Sequence, residues 1–122
     1  VPRERLINDY FVMLALRGVT AEEARGYMYQ ANNRGELGGV LFIGTYWRDL
    51  CGSYGCFSDS VIEDIVPQYK TFLSRPLLER IKKYKIEYVL VDRVKDTEWN
   101  IGKIAGTPLY SNGDFTLYAI QQ

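Results

Sequence analysis

The chain has 122 residues, the length of a single domain, and its 47% apolar and 25% charged residues match a globular protein rather than a disordered one. Fifteen basic residues balance fifteen acidic ones, so no net field draws the chain to a phosphate backbone and no nucleic-acid partner is expected. No apolar run approaches the length that crosses a bilayer, so the chain by itself is expected to be soluble.

The first segment places Leu6, Ile7, Tyr10, Phe11 and Leu14 on one helical face and ends in Arg17 and Gly18, a glycine of the kind that terminates helices. Thr20 and Glu23 form a capping box that opens a short second helix weakened by Gly26. "ANNRGELGG" reads as a polar, glycine-rich loop. "VLFIG" (40–44), a continuous apolar run between glycines, reads as a buried strand, and "TYWRDLCGSYGCF" after it as an irregular loop.

Ser60 and Glu63 read as a second capping box, with Val61, Ile62, Ile65, Tyr69 and Phe72 at helical spacing and Pro67 predicted to kink the helix. Pro76 opens another helix whose Leu77, Leu78, Ile81 and Tyr84 turn inward, with Lys82, Lys83 and Lys85 at its negative end. "IEYVLVD" (86–92) is near-continuously apolar, which predicts a strand buried on both faces. A strand, helices and a strand imply parallel pairing of 40–44 with 86–92 through a right-handed crossover. "DTEWNIGKIAG" predicts a short helix or turn. Strands at 107–111 and 114–120 then close a hairpin across Asn112–Gly113, with a type I′ turn and with Leu109, Phe115, Leu117 and Ile120 at buried positions.

The expected fold is therefore α/β: a small mixed sheet of strands near 40–44, 86–92, 107–111 and 114–120, covered by helices, degenerate Rossmann-like, with a C-terminal β-hairpin. Residues 1–122 form one domain. Segments near 42, 89 and 117 are expected side by side in the sheet.

Little in the sequence carries chemistry. The chain has no histidine and two cysteines, which leaves no zinc ligand set and no Ser-His or Cys-His nucleophile pair. No catalytic residue, metal or cofactor is expected. Cys51 and Cys56 in "CGSYGC" are either a local disulfide or two thiols, depending on compartment. The glycine-rich stretches lack the patterns of a phosphate loop. Tyr46, Trp47, Arg48, Asp49 and Tyr54 form either an aromatic pocket with one ion pair, suited to a sugar or a partner, or a seal on the sheet edge. Asp92 and Arg93 end the central strand, where open α/β sheets place ligands; an exposed charge pair is the simpler reading. Acids near Asp59 suit a helix N-terminus, and Tyr10, Tyr69, Tyr84 and Tyr88 read as amphipathic boundary residues of the core.

"PLLERIKKYKIEYVLVDR" followed by "PLYSNGDFTLYAI" resembles the closing segment of soluble C-terminal domains in polytopic bacterial membrane proteins of the glycosyltransferase-C type. Residues 77–92 and 108–120 match its cadence, and "GVTAEEARGYM" and "YWRDLCGSYGCFSD" are similar to stretches of the uncharacterised branch. The resemblance implies a non-catalytic, extracytoplasmic accessory domain whose partner is the membrane-embedded portion of the same polypeptide. Its first helix would descend from the last span, beside a lipid-linked-sugar site formed mainly elsewhere. The start at Val1, with neither an initiator methionine nor a signal-peptide pattern, fits a piece of such a longer protein. Two alternatives remain. One is a free-standing Rossmann-like ligand-binding module or enzyme using a crevice near Asp92 and the Tyr46–Tyr54 loop. The other is a protein-interaction module anchored by the 46–57 aromatic loop.

Overall fold

The computed structural model describes residues 3–42 and 56–121. Helix α1 (Arg3–Leu16) is the seam between two hydrophobic cores. Tyr10, Phe11 and Leu14 enter the larger core, as the helical spacing predicts, while Leu16 and Val12 reach a second core beneath the sheet. The helix stops where the sequence places its end. The Val19 amide donates to the Leu14 carbonyl at 3.0 Å and the Gly18 amide to that of Ala15 at 3.1 Å, with Gly18 at φ +79°. That is a Schellman motif, and buried Val19 makes its apolar closure.

Helix α2 (Ala21–Tyr29) starts at the predicted cap: the Glu23 amide donates to Thr20 Oγ1 at 3.2 Å, and the Thr20 hydroxyl donates to Glu23 Oε1 at 2.9 Å. Helix α3 (Ala31–Leu41) corrects two expectations. "ANNRGELGG" is helical rather than a loop, and Val40 and Leu41 belong to this helix rather than to a strand. Residues 43 and 44 lie outside the described residues. An apolar run this short suits a helix end as well as a buried strand, and here tertiary contacts decide. Leu37 is fully buried, and Arg17 at the end of α1 grips Glu36 at 2.9 Å and the Tyr27 hydroxyl at 2.8 Å.

Helix α4 (Asp59–Leu73) is capped by Ser58, which accepts from the Ser60 amide, not by Ser60. Glu63 is thereby released from the expected capping box and reaches across to α2. The helix runs on through Pro67, which sits on its exposed side. Ile62, Ile65, Tyr69 and Phe72 are buried, and Phe11 meets Tyr69 and Phe72 at ring-centroid distances of 5.2 and 5.5 Å. Helix α5 (Leu77–Lys82) follows, with Pro76 as its cap.

Three strands complete the fold: β1 (Tyr88–Asp92), β2 (Ala105–Asn112) and β3 (Phe115–Ile120), in the order β1-β3-β2. The α/β class and the C-terminal hairpin are as expected, but the sheet is antiparallel throughout the described residues, not mixed. With 40 and 41 helical, β1 has no parallel partner among the described residues, and β3 occupies the central position against it. Val89 faces Tyr118 and Leu90 faces Leu117, whereas Phe42 is the C-cap of α3. The antiparallel order also removes the Rossmann-like switch point, which requires parallel strands diverging from one crevice.

The hairpin turn is Gly113–Asp114, one residue beyond the expected pair, because Asn112 still pairs with Phe115. Of the two turn residues only Gly113 has positive φ, at +57°, which is the mark of a II′ rather than a I′ turn. A single-turn 3₁₀ helix (Ile101–Lys103) fastens this unit to α1. The Asn100 amide donates to the Leu16 carbonyl at 2.8 Å, and Lys103 Nζ to that of Ala15 at 3.1 Å, a cation on the negative end of the helix.

Candidate functional site

β1 does not bury both faces. Val91 is 7% exposed, while its neighbour Leu90 is 57% exposed and Tyr88 points the same way as Leu90. The alternation follows from the pleat, which sends successive side chains to opposite sides. Inward-facing Val89, Ile104 and Ile120 join Leu16 and Ile81 in the second core. Outward, the register sets Leu90, Leu117 and Tyr110 in one row across all three strands, flanked by Tyr88 opposite Ala119 and by Phe115 opposite both Asp92 and Asn112. Tyr110 is 63% exposed, and Phe115 and the bulged Leu109 are exposed as well, contrary to the expectation that Leu109 and Phe115 are buried. The result is a contiguous apolar and aromatic sheet face that no described element covers.

Of the residues singled out in the sequence, Asp92 and Arg93 are spent on the backbone. The Asp92 carboxylate accepts from the amides of Val94 at 2.9 Å and Lys95 at 3.1 Å, closing the turn after β1. The Arg93 guanidinium donates to the Gly113 carbonyl, and its amide donates to the Asp114 carbonyl at 2.7 Å, clamping the hairpin turn. Both sit at the rim of the open face, as the polar border of an apolar patch. Tyr46, Trp47, Arg48, Asp49, Cys51 and Tyr54 lie outside the described residues. Cys56 is disulfide-bonded.

At the start of α4, Arg34 donates to Asp59 Oδ1 at 2.8 Å and to the Phe57 carbonyl, with its guanidinium 4.8 Å from the Phe57 ring centroid. Arg34 therefore ties α3 to the entry of α4. It lies in the stretch read as a loop, so its role was invisible in the sequence. The open face, by contrast, had a signal: Tyr88 and Leu90 alternate along β1, and Phe115 and Leu117 along β3.

Among the described residues, no group of three or more histidines, cysteines or carboxylates stands close enough to hold a metal ion, and no helix is long and apolar enough to cross a membrane. No protein-family model, curated protein or solved structure matches the chain.

Proposed function

We propose that the chain is a non-catalytic, extracytoplasmic accessory domain of a longer multi-span membrane protein of the glycosyltransferase-C-like type. In this reading the open sheet face docks on the membrane-embedded portion of the same polypeptide, near a lipid-linked-sugar site that other residues form. The observation that supports it most directly is the row of Leu90, half-buried Leu117 and Tyr110, with exposed Tyr88 and Phe115 around it. Large contiguous apolar patches bordered by polar side chains are the usual mark of an interaction surface. The resemblance of residues 77–92 and 108–120 supplies the class of partner. A Rossmann-like enzyme loses its main support, because the strands are antiparallel and Asp92 is committed to its own turn.

Antibodies to this domain, applied to fractionated cells, test the reading. The protein should pellet with membranes and stay there through alkaline carbonate extraction. A photo-crosslinking residue at position 90 should then join the domain to the membrane-embedded part of its own chain. Recovery in the soluble fraction would overturn the proposal.

A further inference from the structure

The sheet has two edges, and only one of them is defended. β2 carries Pro108, which has no amide to offer, and its register with β3 shifts on both sides of that residue. β1 carries no proline, glycine or register shift. The Ile120 amide donates to the Glu87 carbonyl at 2.9 Å, and the Arg93 amide to the Asp114 carbonyl at 2.7 Å. Backbone groups alternate in direction along an antiparallel strand. Glu87, Val89, Val91 and Arg93 therefore bond toward β3, while Tyr88, Leu90 and Asp92 turn their amides and carbonyls outward.

The outward groups of Asp92 are already used. Its amide donates to Asp96 Oδ2 at 2.9 Å, and its carbonyl accepts from the Asp96 amide at 2.7 Å. Tyr88 and Leu90, both exposed, each keep an outward amide and carbonyl without a hydrogen-bond partner among the described residues. Two donors and two acceptors at alternate positions are complementary to themselves. A second copy running antiparallel, with Tyr88 opposite the partner's Leu90, satisfies all of them. That register also sets each tyrosine ring beside a leucine on the open face, a favourable cross-strand pair. An apolar cleft of about 150 Å³ lies between α1 and β1, with Val12, Met13 and Val89 in its walls. Val89 of both copies falls at the centre of the pairing, on that apolar side. Charge agrees with this arrangement. Lys82 and Lys85 outnumber Glu87 around the start of β1, and Asp92 and Asp96 outnumber Lys95 at its end, where Arg93 is drawn away onto the hairpin turn. Antiparallel pairing brings the basic end of each strand to the acidic end of the other.

We propose that two copies of this chain pair through the outer edges of β1, antiparallel about a two-fold axis at Val89, so that their three-stranded sheets join into one of six. The Tyr88 amide donates to the carbonyl of the partner's Leu90 and the Tyr88 carbonyl accepts from its amide, and the symmetry repeats both bonds. So short a seam makes a weak dimer, with a Kd of roughly 10 μM to 1 mM. The defended β2 edges stop growth at two copies. The pairing uses a strand edge and a second chain, so it stands or falls separately from the accessory role of the open face.

The test is analytical ultracentrifugation of the 122-residue chain up to about 1 mM, joined to nuclear magnetic resonance at the same concentrations. Sedimentation should pass from the 14.1 kDa monomer toward a dimer and no further, and added salt should weaken the association. The Tyr88 and Leu90 amides should exchange more slowly with solvent as concentration rises. A mixture of labelled and unlabelled copies should show a nuclear Overhauser contact between the Val89 α-protons of the two chains, which face each other only in this register. Leu90→Pro removes an amide that the β1–β3 ladder does not use, so the variant should keep that ladder's protected amides and dimerise at least about tenfold more weakly. A monomer across the whole range would overturn the proposal. So would a dimer that lacks the Val89 contact, or one that a folded Leu90→Pro chain forms equally well. The exchange and Val89 measurements use the unsubstituted chain, so they decide the matter even if Leu90→Pro does not fold.

Discussion

The Tyr69 hydroxyl donates to the Val19 carbonyl at 2.6 Å across fifty residues of sequence, with Tyr69 fully buried. Val19 is the last residue of the Schellman motif that ends α1, so this bond ties the helix end to the middle of α4. Tyr69→Phe keeps the ring against Phe11 and removes only the hydroxyl, leaving a buried carbonyl without its partner. The expected loss is about 1–3 kcal/mol. Urea denaturation of the two proteins measures it directly.

Tyr10 provides the contrast. Its hydroxyl is also buried, but it has no partner among the described residues. Tyr10→Phe should therefore be neutral or slightly stabilising. Burial pushes the ionisation of both hydroxyls well above the ordinary tyrosine value. Above about pH 10 the unfolded chain loses these protons while the native chain keeps them, so stability is full below that pH and falls as pH rises through it. The slope of unfolding free energy against pH in the alkaline range should become shallower in each Phe variant by one proton's contribution. Equal slopes in all three proteins would show that neither hydroxyl is protected.

Glu63 lies at the centre of an exposed cluster, accepting from the Tyr29 hydroxyl at 2.7 Å and from Arg25 at 2.7 and 2.9 Å. The Tyr29 hydrogen bond first, and then that of Arg25, hold its carboxyl below the usual glutamate range. Its contribution is therefore present above the ordinary glutamate pKa and disappears as pH falls through the lowered value. Carboxyl-carbon titration should place Glu63 below an exposed, unpaired glutamate, and Tyr29→Phe should move it back up. Added salt should diminish the Arg25 share more than the Tyr29 share, since Arg25 and Glu63 are largely exposed.

Periodicity and end signals made much of this architecture readable: the apolar stripe of α1 with Gly18 at its end, Thr20 capping α2, the spacing of α4, the β-branched run of β1. Helix α3 carried no such signal. Asn32, Asn33, Gly35, Gly38 and Gly39 all disfavour helix locally. What holds it is Leu37 in the core and the grips of Arg17 on Glu36 and of Arg34 on Asp59, contacts that reach 19 and 25 residues along the chain. The expected mixed sheet followed from that segment, because a strand expected over 40–44, where 40 and 41 are in fact helical, demanded a parallel neighbour.

Leu90 and Val91 separate the two roles of the sheet within two adjacent positions. Val91 faces inward and is nearly inaccessible, so Val91→Ala removes buried methyl groups and should cost about 2 kcal/mol. Leu90 is largely exposed, with Leu117 beside it across the strands, so Leu90→Thr, which puts a β-branched residue of high strand propensity there, should change stability by no more than about 0.5 kcal/mol. If the open face docks on the membrane-embedded part of the chain, the order of effects reverses in the intact protein. There Leu90→Asp should make this domain more susceptible to added protease in isolated membranes, while the melting temperature of the 122-residue chain stays near that of the parent. A Leu90→Asp protein cleaved at the parental rate would mean that the face is not an interface. A large loss of stability from Leu90→Thr would mean instead that the residue is packed, and the row it shares with Leu117 and Tyr110 would then belong to the core.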